Sequence, residues 1–398
     1  MKRSGIEVAN SMATDRNFDI AVIGAGVFGA WTAYQLRRAG AKVLLVDAYG
    51  PGNSRASSGG ESRIIRMGYG PDAIYTRMAQ RSFTQWRELF DHINRPQLFQ
   101  QTGVLWLAKE KDSYCEATLK TFQQNNVKFE RLDRTELQQR YPPLELGPIS
   151  WGILEPDSGI LMARQAVKAV VAEAQAAGVN YLQAAIQPME TAEEGRLQSI
   201  STTSGREISA DKFIFACGPW LPKLFPKLLA GLIHVTRQEV LFLGVPAGDD
   251  RFNTPSMPTW MDINELVYSL PNLDNRGFKI AIDEHGPRFD PDTGDRVVFP
   301  ETVNAVRAYL ARRVPLLADA PVIESRVCQY ENTSNGDFLI DRHPEFENVW
   351  LVGGGSGHGF KHGPAVGEQV ASLVSGEVNV ESRFRLATKR QSRQREVF

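Results

Sequence analysis

The stretch 19–47, DIAVIGAGVFGAWTAYQLRRAGAKVLLVD, narrows the possible folds more than any other part of the chain. Residues 20–23 form a short apolar run, the pattern of a strand buried on both faces. Gly24, Gly26 and Gly29 follow at GxGxxG spacing. The first glycine permits the tight turn, the second lets backbone approach a pyrophosphate, and the third lets the next helix pack close to the strand. Residues 30–38 predict that helix, with Ala33 and Leu36 facing inward and Gly40 ending it. Residues 42–46 predict a second buried strand, and Asp47 follows it, placed to accept a hydrogen bond from a ribose hydroxyl. A membrane or core helix over 18–36 is the competing reading, and three glycines within it argue against that. An ADP-binding βαβ unit results, with Val27 and Phe28 of its turn assigned to the cofactor along with the three glycines.

The remainder excludes several function classes. A net charge of −1 gives no global attraction for nucleic acid or an anionic membrane. Three widely spaced cysteines, Cys115, Cys217 and Cys328, are not a disulfide framework and suit a reducing compartment. Residues 1–17 carry no apolar signal region; they read as a disordered leader in which Met12 is an alternative start, and the expected location is cytoplasmic. Residues 383–395 are basic and polar, which predicts a solvated tail.

After Asp47, glycines, serines and proline forbid regular structure over about 49–61. The loop ends in Arg63 and Arg66, which on a helical turn would share one face. Helices are predicted over 75–90, 113–125, 134–140, 162–177, 300–313 and 364–375, and strands over 103–110, 181–186, 233–243, 322–330, 338–340 and 349–352. Residues 152–161 resemble a pair of short strands around a turn. Residues 196–203 and 207–210 predict a hairpin, and 211–220 another buried strand ending in glycine. Cys217 there reads as a small core residue.

A second strand, glycine turn and helix closes the chain at 349–375. Nicotinamide enzymes seldom need such a junction; a flavin does, because its ring reaches a second backbone edge where a helix N-terminus stabilises charge. The fold is therefore read as α+β: a Rossmann-like FAD-binding domain of glutathione-reductase type with a mainly antiparallel β-sheet substrate domain. The expected division is 18–90, 151–220 and 338–382 for the discontinuous FAD-binding domain, 91–150 and 221–337 for the substrate domain, and 383–398 for the tail.

The segments GAGVFG (24–29), GESRIIRMGYG (60–70), TGVLWL (102–107), EPDSGIL (155–161), RQEV (237–240), GFKIA (277–281), VCQYENTSNGDFLID (327–341) and GSGHGFKHGPAVGE (355–368) carry a resemblance. From 18 to about 382 the chain resembles the D-amino-acid-oxidase superfamily of flavoproteins, and within it the sarcosine and N-methyltryptophan oxidases. The resemblance implies FAD, held covalently by a thioether from Cys328, and cofactor contacts from Ile186, Gly355, Gly357, His358, Gly359 and Lys361. It implies that Arg66 and Lys361 hold a substrate carboxylate, which an arginine can grip bidentately. It places Arg63 near the flavin face, Tyr268 and Tyr330 in the substrate pocket, and Lys279 beside the flavin N5, where a cation lowers the barrier to oxygen reduction.

Two departures concern the amine side of that pocket. The relatives carry a histidine where this chain has Asp283, and a His-His pair where it has Ser58 and Gly59. His358 and His362 are spaced i, i+4 but lack the partner glutamate of a zinc helix, so no metal is expected. The resulting expectation is an FAD-dependent oxidase of secondary amino acids, N-methyl or cyclic. Its partners are a small substrate with a free carboxylate and molecular oxygen, its products an imine and hydrogen peroxide, and it acts as a monomer. With the amine bound neutral no strong base is needed, and activity rises with pH. Alternatives are a dehydrogenase of the same fold, an oxidase of sugar-modified or primary amino acids, and a nucleotide-binding regulator without turnover.

Overall fold

The computed structural model describes residues 18–189 and 195–390. The predicted leader lies outside them. A seven-stranded sheet runs in the order Leu339–Arg342, Val349–Gly353, Glu207–Phe215, Phe18–Ile23, Val43–Asp47, Asn180–Gln183, with Ser199–Ser201 paired to Glu207–Phe215 off this path. Its four central pairings are parallel. This matches the near-continuous apolar sequences of its inner strands, which are covered on both faces. The helices Val27–Arg38, Ala163–Ala176 and Gly363–Ser375 pack together in one core cluster with these strands.

An eight-stranded sheet carries the second layer, and its sole parallel pair among the described residues is Thr259–Asp262 with Val104–Lys109. Ile149–Glu155 pairs with both Val104–Lys109 and Glu130–Asp133, so the expected boundary at 151 falls inside a strand of this second sheet. A three-stranded sheet joins Arg63–Ile65, Gly159–Leu161 and Phe99–Gln100.

Helix Pro300–Arg313 lies where the pattern predicts it, and Val27–Arg38 begins three residues earlier than the predicted 30. Four sequence expectations need correction. Residues 207–220 hold one nine-residue strand, Glu207–Phe215, because antiparallel pairing with Ser199–Ser201 over 207–209 runs without a break into parallel pairing with Phe18–Ile23 from Ala210 onward. The two strands within 149–161 do not pair with each other; they belong to different sheets. Arg63 lies on a strand rather than a helical turn, and Arg66 follows its end at Ile65. Lastly, 383–390 is no solvated tail. Phe384 is fully buried with its ring 5.5 Å from that of Phe338, and Arg383 pairs with Asp72 and Asp337 at 2.8 and 2.7 Å. Composition hid this, because one phenylalanine among four cations decides where the segment docks.

Phe384→Ala is expected to destabilise the protein by about 3–5 kcal/mol, the usual cost of emptying a buried phenylalanine site. A lower urea midpoint checks it; an unchanged midpoint would return the segment to solvent.

Candidate active site

The glycine turn after Phe18–Ile23 is built by steric exclusion. Gly24 has φ +105°, and a Cβ there would stand 2.2 Å from the Ala216 carbonyl oxygen; one on Gly29 would stand 1.8 Å from the Gly24 oxygen. Ser58 Oγ accepts from Val27 N at 3.1 Å at the start of the helix. Asp47 Oδ2 accepts from Ala25 N at 2.8 Å, while Oδ1 accepts from Tyr49 and Gly50 N at 2.9 and 2.8 Å. A carboxylate has about four acceptor sites, so three backbone donors leave one for a ribose hydroxyl. Burial holds Asp47 above the ordinary carboxylate range despite those donors.

A cavity of about 410 Å³ starts at this turn, where Gly24, Gly26, Val27, Phe28 and Asp47 line it. Ile186, Cys217, Gly355, Gly357 and Gly359 line it too. The Cys217 thiol is pushed well up by burial, as suits an unreactive core cysteine. Gly29 does not line the cavity; it packs against Gly24 behind the turn. A space lined by both a dinucleotide-type turn and a second glycine turn fits FAD, and the residues present leave both turns open on the inside.

A smaller cavity of about 60 Å³ adjoins the first, sharing Arg63, Tyr330, Gly357 and Phe360 with it. Strand alternation supplies its walls. Phe278 and Ile280 point into the second core, so Lys279 and Ala281 face the cavity. Cys328 and Tyr330, two apart on Val322–Thr333, face it together, and Tyr268 comes from Val267–Leu270. Arg63, Arg66, His358 and Lys361 complete it. All the site residues named from sequence except Gly29 therefore surround two contiguous cavities.

The cations are held mainly by neutral oxygen. Arg63 Nη2 donates to Ser57 O at 2.8 Å and to Cys328 Sγ at 3.2 Å. Lys279 Nζ donates to Ser62 O at 2.9 Å, Lys361 Nζ to Tyr69 Oη and His358 O at 2.9 and 3.0 Å, and Arg66 to Gly68 O. Burial, then Arg63, holds Lys279 well below the usual ammonium range; burial, then Arg66, does the same to Lys361. His362 Nε2 lies 2.7 Å from Tyr69 Oη, and His358 Nε2 lies 3.2 Å from Gly336 O. Among the described residues no group of three or more His, Cys, Asp or Glu side chains could hold a metal ion.

Asp283 is not turned away from the site: it lines the small cavity and accepts from Tyr330 Oη at 2.6 Å. Ser58 and Gly59, by contrast, lie off that cavity. Ser58 lines the large one, and a Cβ on Gly59 would stand 1.9 Å from Asn53 O, so a histidine pair has no room in this loop.

Sequence reading gave no role to two acids. Glu155 accepts from Met67 N at 2.7 Å and Trp106 Nε1 at 2.8 Å, and the Arg66 guanidinium lies over the Trp106 and Tyr69 rings at 4.9 and 4.5 Å. Glu331 is buried beside the second glycine turn, and burial pushes it up to about 8 although Gly354 and Gly355 N–H pull it back. A one-letter code gives no sign that a strand glutamate is folded under a turn twenty residues later.

The family described as "DAO: FAD dependent oxidoreductase" matches residues 19–373. Monomeric sarcosine oxidase of Bacillus sp. (strain B-0618) is 32% identical over 366 residues, 90% of this chain and 92% of the relative. N-methyl-L-tryptophan oxidase of Salmonella heidelberg (strain SL476) is 29% identical over 365 residues, covering 90% and 95%. Among solved structures, L-proline dehydrogenase from P. horikoshii superposes with a TM-score of 0.79 at 20% identity, covering 93% of this chain and 97% of that one, a likeness of fold.

The Glu331 carboxyl keeps its proton in the folded protein to about pH 8, whereas the unfolded chain loses it near pH ~4.3. The folded state binds more protons between those values, so this group's contribution to stability falls as pH rises through that window. Glu331→Gln is expected to gain urea midpoint relative to wild type between pH 5.5 and 8; parallel curves would contradict it. Match over 355 of these residues, with both glycine turns facing one cavity, makes this chain a member of the FAD dependent oxidoreductase family.

Proposed function

We propose that the protein is an FAD-dependent oxidase of secondary amino acids, N-methyl or cyclic, with oxygen as electron acceptor. The observation that carries the reading is the small cavity: Arg63, Arg66, Lys279 and Lys361 line it, and it opens onto the large one. The names of the most similar relatives, oxidases of sarcosine and of N-methyltryptophan, support the same substrate class.

Bound FAD supplies a two-electron acceptor that is reoxidised by oxygen with release of hydrogen peroxide. Gly24, Gly26, Val27, Phe28 and Asp47 hold its ADP part, and Gly355, Gly357 and Gly359 the other end. Arg66 and Lys361 seat the substrate carboxylate, because a bidentate guanidinium and a point charge together fix its plane and position. Trp106 and Tyr69 stack on Arg66 and limit its freedom. Tyr268 and Tyr330 close the pocket around the carbon chain and keep water out. Lys279, anchored on Ser62 O, presents a preorganised cation where oxygen takes up electrons. Arg63 Nη2 donates to Cys328 Sγ at 3.2 Å, and that sulfur, on the wall of the small cavity, is the candidate for a covalent link to FAD. Among the described residues no helix is long and apolar enough to cross a membrane.

Anaerobic mixing with sarcosine, N-methyltryptophan, pipecolate, proline and fructosyl amino acids tests the class. One or more secondary amino acids should bleach the flavin, and peroxide should appear when air is admitted; bleaching by none removes the reading. Lys279→Met should slow reoxidation by about 10²–10³-fold, the usual cost of one preorganised electrostatic group, while sparing the anaerobic step. Acid denaturation should leave yellow colour on the polypeptide, and Cys328→Ser should release it; release from wild type would defeat the covalent link.

A further inference from the structure

Two acids line the small cavity, and they differ in how they are engaged. Glu239 is neutralised from behind: Arg237 Nε donates to Oε1 at 2.6 Å, and Phe299 N reaches both oxygens at 3.2 and 3.1 Å. Asp283 follows the strand that carries Lys279, its N–H donating to Leu266 O at 2.6 Å, and is 5% exposed. Tyr330 Oη donates to its Oδ1 at 2.6 Å, and the described hydrogen bonds leave Oδ2 to a ligand. One carbon separates carboxylate from amine in an amino acid. With the carboxylate on Arg66 and Lys361, a space of about 60 Å³ brings the nitrogen close to Asp283.

We propose, resting on the functional reading above, that Asp283 takes the proton from the substrate's ammonium group, so that the pocket accepts secondary amino acids in their zwitterionic form. The N–H bond breaks, its electron pair remains on nitrogen, and the proton moves to Oδ2 while Oδ1 keeps the Tyr330 hydrogen bond. No oxidant or reductant takes part, and the proton passes to water as product leaves. The freed lone pair is what assists loss of hydride from the neighbouring carbon.

The electrostatics of the pocket suit this role. Burial pushes Asp283 up to about 7, although the Tyr330 hydrogen bond, Arg66, Lys361 and Arg63 pull it down. It is thus ionised in much of the protein at neutral pH yet able to hold a proton. The groups facing it are Tyr330 and Cys328 from one strand, Tyr268 from another, and Arg63 and Arg66. Lys361 and His358 face it from the glycine turn, with Lys279 and Glu239 beyond. Burial depresses both lysines as well, so one pH limb would not identify Asp283; a variant comparison does.

The test is the anaerobic rate of flavin bleaching against pH, using the secondary amino acid that reduces wild type fastest, in wild type and Asp283→Asn. Wild type should rise to a plateau from about pH 7. The variant should depend on the free amine, whose ionisation as an alkylammonium lies near ~10.4. It should therefore lose about 10²–10³-fold at pH 7 and under about tenfold at pH 10. An unchanged profile, or the same loss at both pH values, overturns the assignment, the latter because it marks mere positioning. Asp283→Ser replaces the variant should the asparagine form lose its flavin. Binding of propionate, which has no amine, gives a readout without turnover. It should be several-fold tighter at pH 6 than at pH 8, since ionised Asp283 repels it, and the variants should lose most of that difference; an undiminished difference overturns the assignment. Wild type that no secondary amino acid reduces at any pH sinks the functional reading instead.

Discussion

Helices Val27–Arg38 and Gly363–Ser375 begin at the two glycine turns, and everything at the site depends on how closely they touch. A Cβ on Gly367 would stand 2.6 Å from the Trp31 carbonyl carbon, and one on Gly363 would stand 2.5 Å from Val27 Cγ2. Gly359 likewise meets the Phe28 ring, where a Cβ would be 2.9 Å away. Helices in contact at this distance hold the two glycine turns that precede them on one cavity. Interiors are packed like crystals, so a methyl group at such a crossing displaces backbone rather than filling a gap. Residues over 330 positions apart are thereby held in direct contact.

That rigidity bears on the electrostatics. Burying four cations beside one small cavity is costly, and the protein offsets the cost chiefly with carbonyl and hydroxyl dipoles: Ser57 and Ser62 for Arg63, Ser62 for Lys279, Tyr69 and His358 for Lys361, Gly68 for Arg66. Dipoles partly solvate a charge without cancelling it. Positive potential therefore survives in the pocket and acts on the Asp283 carboxylate there. Elsewhere the same chain does neutralise a buried cation directly, as with Arg313 on Asp262 at 3.0 Å. The contrast sets a binding pocket apart from structural ion pairs.

Much of the site was legible because its chemistry sits at punctuation marks of the chain. Gly24, Gly26 and Asp47 sit in a strand, helix, strand order at offsets that geometry dictates, and the glycine turn at 354–359 follows a strand in the same way. Tyr330 and Cys328 could be matched by motif, and their two-residue spacing puts them on one face of a strand whatever the partner. Arg63 and Arg66 were assigned by the family resemblance, and their three-residue spacing reads as a helical face until strand pairing with Gly159–Leu161 is known. Glu331 and Glu155 were missed because their partners are backbone N–H groups and an indole from distant segments, which no spacing announces. The segment 383–390 was misread because composition averages over the one side chain that docks.

By itself, then, the amino-acid order determined which segments alternate, which are buried on both faces, and where the chain must turn, since these follow from side-chain size, polarity and glycine's missing Cβ. Only the tertiary structure decided which charges end in the same cavity and which acids are neutralised there. It alone brought Phe299 N onto Glu239 and left Asp283 facing the pocket. Charge pairing depends on distances between segments remote in sequence, and those distances exist only once the helices and sheets have packed.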